Sequence, residues 1–276
     1  MIKPTWCPGC NNFAILAALK NVIKDEEKTA AVAGIGCHAR IFDYLPFNGI
    51  HTIHGRVLPT CLGIKIGNPN LNVLGFSGDG DAYSEGMEHL IHAARYNSDI
   101  KYIVHNNQVF ALTVGQSAST TEKGFKSKSS PSGNKMEPLN PIKLMLASGA
   151  TFVARVSSDL KQIEYVLKEA MKHRGFAFIE ILIPCLIFHN VNYKDKIYSL
   201  KESEHDKTNF DDAWKKAQEF DYDDAAPLGV PQIAECRGKK IPMGIFYQVE
   251  KEVFEDKFEQ LKELKRKGIG WKDIRR

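Results

Sequence analysis

The chain has 276 residues, 43% hydrophobic and 25% charged, with 37 basic residues against 33 acidic ones for a formal net charge of +4. That length can bury a sizeable core, and a mild charge with no dense Arg/Lys block argues against nucleic-acid binding. No run of 18 apolar residues occurs, and the opening "MIKPTW" meets a proline and then a cysteine without an apolar leader core, which predicts no membrane span and a cytoplasmic setting.

The first chemical feature is "WCPGCNN" (6–12), followed by a helical pattern over 12–24. The run "AAVAGIG" (30–36) predicts a strand that ends on Cys37, and "HTIH" (51–54) predicts a second strand before a helix over 57–67. "NVLGFSG" (72–78), a helix over 81–97, "KYIVHN" (101–106), a helix over 140–148, "TFVARV" (151–156), a helix over 158–174 and "FAFIEIL" (176–182) complete the alternation. Such alternation predicts an α/β fold, a parallel sheet with helices on both faces, spanning residues 1–190. Beyond Cys185 the texture changes. Residues 190–226 are charged and "APLGVPQ" (226–232) is punctuated by proline, which reads as an arm extended over the core. Val249, Val253, Phe254, Phe258, Leu261 and Leu264 recur at helical spacing and predict an amphipathic helix over 248–267. That helix would dock on its own domain or, alternatively, on a partner, making 191–276 a C-terminal extension.

The most informative stretch is "GFSGDGDAYSEGMEHLIHAARYNSDIKYIVHNN" (75–107). Gly78 and Gly80 let the backbone turn sharply and approach a phosphate at the start of the following helix. Asp79 supplies a hard oxygen, and Asn107, after the next strand, reaches the same sheet edge to complete a Mg²⁺ site with diphosphate oxygens. A lone GDG is a common turn, but GDG followed by NN after the next strand resembles the signature of thiamin-diphosphate-binding enzymes.

Six cysteines, Cys7, Cys10, Cys37, Cys61, Cys185 and Cys236, are too dilute for a disulfide scaffold and read as thiols or metal ligands. Cys7 and Cys10 form a pair, and Cys37 and Cys185 each follow a predicted strand. Four thiolates suit a [4Fe–4S] cluster. Zinc accepts the same set, although its structural sites usually use two short-spaced pairs. A redox dithiol fits less well, because Cys7 precedes the first strand. Spacing alone leaves iron–sulfur, zinc and unligated thiols open.

Taken together, "WCPGC", "GIGCHARIFDYL", "HTIHGRVLP", "GDGDAYSEGMEHLIHAARYN", "HNNQVFALTVGQSASTTEKGFKSK" and "GFAFIEILIPC" resemble the β subunits of 2-oxoacid:ferredoxin oxidoreductases over most of residues 5–190. The resemblance implies a [4Fe–4S] cluster on Cys7, Cys10, Cys37 and Cys185, leaving Cys61 and Cys236 as ordinary thiols. It implies thiamin diphosphate against Ile35, Gly36, Cys37, His38 and His54, with Gly80 and Asp81 at the diphosphate and Ala111 and Leu112 beside it. Mg²⁺ would rest on Asp79, Asn107 and the backbone oxygen of Val109, and Arg40 would meet the substrate carboxylate, a surface or ion-pair role being the alternative. Asn11 stands where relatives commonly have glycine, and its tolerance of the left-handed region would preserve that turn.

The implied reaction is oxidative decarboxylation of a 2-oxoacid with coenzyme A, favouring 2-oxoglutarate or a broad range over pyruvate, with electrons leaving through the cluster to ferredoxin. The glutamate that activates thiamin has no evident place in this chain, so a separate α subunit, bearing the pyrimidine-binding domain, is implied. The rival readings are a non-oxidative thiamin-dependent decarboxylase or synthase subunit and a zinc-stabilised binding protein.

Overall fold

Apolar runs alternating with amphipathic helices form one sheet in the computed structural model, which describes residues 3–201, 203–221 and 240–268. The strands are β1 (Thr29–Ala33), β2 (Asn48–His51), β3 (Asn72–Gly78), β4 (Ile100–Asn106), β5 (Val109–Phe110), β6 (Gln116–Ser117), β7 (Phe152–Ser157), β8 (Ala177–Leu182), β9 (Ile197–Ser199) and β10 (Ile241–Gln248). Helices α1 (Asn12–Val22), α2 (Val57–Gly67), α3 (Met87–Tyr96), α4 (Pro141–Ala147), α5 (Leu160–Lys172), α6 (Phe210–Gln218) and α7 (Glu259–Lys267) accompany them. The sheet runs β2-β1-β3-β4-β8-β7-β10-β9, with β5 and β6 forming a separate hairpin. Pairing within the sheet is parallel throughout except where β10 lies antiparallel to β7.

Alternating side chains of the central strands feed two cores. Leu74, Phe76 and Ile103 pack with Ile15 and Leu19 of α1 and Ile163 and Val166 of α5. Val73, Tyr102 and Val104 face the other way, against Val57 and Leu58 of α2, Leu90 of α3, Met145 of α4 and Ala213 of α6. Strand β1 connects outward to β2, and the chain then crosses back over β1 to β3, so the loops after β1 and β3 diverge at one crevice. Open α/β sheets bind ligands at such a switch point.

Three expectations change. The strand expected at 51–54 forms at Asn48–His51 instead, because β1 ends at Ala33 and the ladder closes with Thr52 N–H donating to Ala33 O at 2.9 Å. The helix expected at 81–97 begins as a π-turn (Gly80–Ser84), breaks at Gly86 and resumes as α3. In place of an arm and a long helix, the extension contributes α6 and β10, and the helix expected at 248–267 shortens to α7. Val249 N–H continues the ladder to Thr151 O at 2.9 Å, and Asn97 Nδ2 holds the carbonyls of Lys251 and Glu252, so tertiary hydrogen bonds override the helical spacing. The "APLGVPQ" stretch and Cys236 lie outside the described residues.

Candidate cofactor site

Residues that follow β1, β3, β4 and β8 meet at one edge of the sheet. A narrow cleft there is lined by Ile35, Gly36, Cys37, His38, His54, Gly78, Asp79, Gly80, Asp81, Asn107, Val109, Ala111 and Leu112, among others. The structure thus brings together every residue that the sequence suggested for cofactor and Mg²⁺, with Arg40 and three of the cysteines standing next door.

The glycines open the cleft. A Cβ on Gly78 would lie 2.9 Å from the His38 ring, and one on Gly80 would lie 2.3 Å from the ring of Phe110. Asp79 is 1% exposed. Its Oδ2 accepts from Thr120 Oγ1 at 2.8 Å and its Oδ1 from Asn107 N–H at 3.4 Å. Burial pushes the Asp79 carboxyl up to about 7, outweighing the Thr120 and Asn107 hydrogen bonds that favour its charged form. Asn107 Oδ1 accepts from Val109 N–H at 3.1 Å, folding the loop after β4 around the same point, and Gln108 between them takes a positive φ of 62°.

Asp81 plays a different part. Its Oδ1 accepts from Gly55 N–H at 2.7 Å and lies 3.0 Å from His54 Nδ1, while Oδ2 lies 3.5 Å from His38 Nε2. Burial works to raise this carboxyl, but His38, Gly55 and Ser77 together hold it below the usual carboxylate range. The side chain is therefore held by the Gly55 amide and flanked by two histidines. Gly34 is required beneath it, since a Cβ there would lie 1.9 Å from Asp81 Oδ2. Behind His38, the buried ring of His105 is pushed well below the usual histidine range by burial and by His38, and its Nδ1 lies 2.7 Å from Asn12 Oδ1.

A second cavity, of about 210 Å³, adjoins the cleft and is lined by Cys7, Cys10, Cys37 and Cys185 with Trp6, Arg40, Pro184 and Leu186. Cys37, Asn12, Asn107, Ala111, Leu112 and Ile183 line both spaces, forming a shared wall. Burial, then Cys10 and Cys185, push the Cys37 thiol up to about 11, and burial with Cys7 and Cys185 also raises Cys10. Cys10 and Cys37 thus resist ionisation as they stand, and a bound cation is what would favour their thiolate forms. Among the described residues, no three His, Cys, Asp or Glu side chains converge tightly enough to hold a metal ion as they stand. Cys61, by contrast, is on the buried face of α2 and acts as packing.

Arg40 donates from Nη1 to Thr5 Oγ1 at 2.5 Å and lines the cysteine cavity, not the cleft. Arg56 donates to the carbonyls of Gly55 and Glu85, both at 3.4 Å, at the head of α2. Asn11 takes right-handed helical angles (φ −68°, ψ −11°), so the left-handed tolerance invoked for it is not used; Gly9, at φ +78°, makes the turn. Sequence reasoning missed Asn12, Phe110 and Thr120. Asn12 carried a signal, being the polar residue that opens a helix directly after the cysteine pair. Thr120 carried none, because a threonine in a polar loop has no spacing rule to set it apart.

Residues 34–181 match the family described as "Thiamine pyrophosphate enzyme, C-terminal TPP binding domain", and residues 185–263 match the family of the C-terminal segment of the pyruvate ferredoxin oxidoreductase beta chain. The chain is 41% identical to the 2-oxoacid:ferredoxin oxidoreductase subunit beta of Saccharolobus solfataricus, over 89% of this chain and 82% of that relative. It is 36% identical to the 2-oxoglutarate synthase subunit KorB of Archaeoglobus fulgidus, over 99% and 96% respectively. Among solved structures, a chain of the 2-oxoglutarate:ferredoxin oxidoreductase from Magnetococcus marinus, with 2-oxoglutarate, coenzyme A and succinyl-CoA bound, superposes with a TM-score of 0.83 at 31% identity, covering 97% of this chain and 88% of that one. A thiamin-binding α/β fold with its glycine-acid cleft at the switch point, extended by a segment of the same enzyme family, makes this chain a β subunit of the 2-oxoacid:ferredoxin oxidoreductase family.

Proposed function

We propose that this subunit, with an α partner, carries out the coenzyme A-dependent oxidative decarboxylation of a 2-oxoacid and passes the electrons to ferredoxin. The observation that carries the reading is the shared wall: four cysteines from three separate parts of the chain line a cavity that abuts the glycine-acid cleft. The names of the relatives favour 2-oxoglutarate or a broad 2-oxoacid range over pyruvate alone.

The residues present fit the implied groups. Gly36, Gly78 and Gly80 let the backbone approach a diphosphate closely. Asp79, Asn107 and the Val109 carbonyl form an all-oxygen set suited to Mg²⁺. Cys7, Cys10, Cys37 and Cys185 would hold a [4Fe–4S] cluster. Thiamin diphosphate supplies the carbanion chemistry that no side chain provides, and the cluster supplies a one-electron acceptor. The chain's own work is to fix these groups side by side. His38 and His54, both facing the Asp81 carboxylate, shape the wall of the cleft. Arg40 engages Thr5 through Nη1 alone, leaving Nε and Nη2 without a hydrogen-bond partner among the described residues, and so retains an edge for a carboxylate. The α partner would bring the pyrimidine-binding domain with the activating glutamate.

The test is anaerobic purification of the β chain with its co-expressed partner, followed by iron, sulfide, zinc and thiamin analysis of one sample. The expected result is about four irons and one thiamin diphosphate per β chain, with 2-oxoacid-dependent reduction of ferredoxin or a viologen. Thiamin without iron would transfer the assignment to a non-oxidative thiamin enzyme, and zinc without thiamin would overturn it.

A further inference from the structure

A buried polar chain leads away from Asp79 along one face of the sheet, from β4 through β8 to β7, and neither cofactor contacts nor the electron route account for it. Thr120, 2% exposed, lies on the loop after β6, with its Oγ1 2.8 Å from Asp79 Oδ2 and 3.2 Å from Asn106 Oδ1. Asn106, 1% exposed, donates from Nδ2 to Glu180 Oε1 at 2.7 Å and accepts at Oδ1 from Gln108 N–H at 3.0 Å. These two bonds fix the orientation of the amide. Glu180 in turn accepts from Arg155 Nε at 2.6 Å, and both members of this pair are fully buried. The Arg155 guanidinium stacks 4.1 Å from the centre of the Phe220 ring, which follows α6.

Thr120 has a single hydroxyl proton and two neighbouring acceptors. The shorter contact and the stronger acceptor are both Asp79, because hydrogen bonds to carboxylates are shorter and stronger than those to neutral amides. The Thr120 backbone is also pinned, since Gln108 Nε2 donates to its carbonyl at 2.9 Å and Tyr193 OH donates to Gln108 Oε1 at 3.1 Å. Asp79 Oδ2 is thereby occupied, whereas Oδ1 has only the long contact with Asn107 N–H.

We propose that Thr120 is a positioning residue for metal binding: its hydroxyl, backed by Asn106 and the Arg155–Glu180 pair, ties down Asp79 Oδ2 and leaves Oδ1 to a divalent cation. The proposal rests on the reading of Asp79, Asn107 and Val109 as the Mg²⁺ site. A ligating carboxylate held by an outer hydrogen bond keeps its rotamer when the metal leaves, so losing that bond weakens metal affinity by roughly 10–100-fold.

The experiment titrates Mg²⁺ into the metal-free αβ complex, with thiamin diphosphate present, and follows binding by calorimetry and by the rise in unfolding temperature. Thr120→Val, nearly isosteric but without the donor, is expected to weaken Mg²⁺ by about tenfold or more, and Thr120→Ser to restore affinity to within about twofold of the parent. Far-UV circular dichroism and complex assembly check folding. Should the valine protein not assemble, Thr120→Ala serves in its place and carries the same expectation. Parental Mg²⁺ affinity in a folded Val or Ala variant would overturn the proposal, as would a Ser variant as weak as Val. A parent complex that binds no Mg²⁺ would instead overturn the metal assignment itself, so the two failures are distinguishable.

Discussion

The indole of Trp6 donates from Nε1 to the carbonyl oxygen of Cys37 at 2.7 Å, tying the segment with the cysteine pair to the turn that carries the third cysteine. Trp6 is 8% exposed and packs edge-on against Phe13 and Tyr44, with ring centroids 5.3 Å and 4.9 Å away. Trp6→Phe keeps most of that packing but removes the hydrogen bond to the Cys37 carbonyl. The expected cost is about 0.5–1.5 kcal/mol in urea unfolding, together with a lower iron content per chain after anaerobic desalting. Unchanged iron retention would mean that the segment is held by its aromatic packing alone.

Gly55 joins the turn before α2 to the cleft. Its φ is +71°, a Cβ there would lie 2.2 Å from Glu85 O, and its N–H is a donor to Asp81. Gly55→Ala is expected to cost about 1–3 kcal/mol from backbone strain alone, and to displace Asp81 from His54. Thiamin diphosphate binding, read by quenching of intrinsic fluorescence, should weaken in the same variant.

Acid sensitivity has an identifiable source away from the site. Burial, reinforced by Lys101, lowers His173 from 6.5 to about 4, and its Nε2 lies 2.8 Å from Thr151 Oγ1. Between those pH values the unfolded chain binds the proton and the folded chain does not, so stability is full above about pH 6.5 and falls toward pH 4. His105 shifts in the same direction. Urea midpoints measured across this window should decline as pH falls, and His173→Gln should flatten that decline while His105 retains its share.

The Arg155–Glu180 pair offers a double-mutant test. Arg155→Met alone leaves the Glu180 charge buried without its cation and is expected to cost about 3–5 kcal/mol. Adding Glu180→Gln removes the orphaned charge and should recover part of that loss in guanidinium unfolding. Costs that simply add would show that the two side chains act independently.

Much of this site is legible in the chain itself. Asp79, Gly80 and Asn107 each follow a strand whose apolar run is unambiguous, β3 forming at the expected 72–78, so local sequence order maps directly onto one sheet edge. Cys37 and Cys185 follow the same logic of strand ends, whereas Cys7 and Cys10 precede the first strand and join them only through the family resemblance. Thr120 escapes because its partners, Asp79 and Asn106, lie 41 and 14 residues away and only the fold makes them neighbours. A single helix over 248–267 does not form because the apolar side chains that would line its face are instead captured one by one: Val253 is buried on the core, Phe254 packs 5.5 Å from Tyr96, and Leu261 belongs to a separate short helix. Local periodicity is a preference that side-chain capture by distant carbonyls and rings can outweigh.

The position of β8 between β4 and β7 sets an order of events. Cys185 follows β8, so it reaches the wall beside Cys37 only after β8 has inserted between strands that lie on either side of it in space and both earlier in the chain. A nascent chain that has folded only its first half holds Cys7, Cys10 and Cys37 without the fourth sulfur. Completion of the thiol set therefore reports insertion of β8 at the centre of the sheet, and a metal centre that needs all four sulfurs could be loaded only into a subunit whose central strands are already in place.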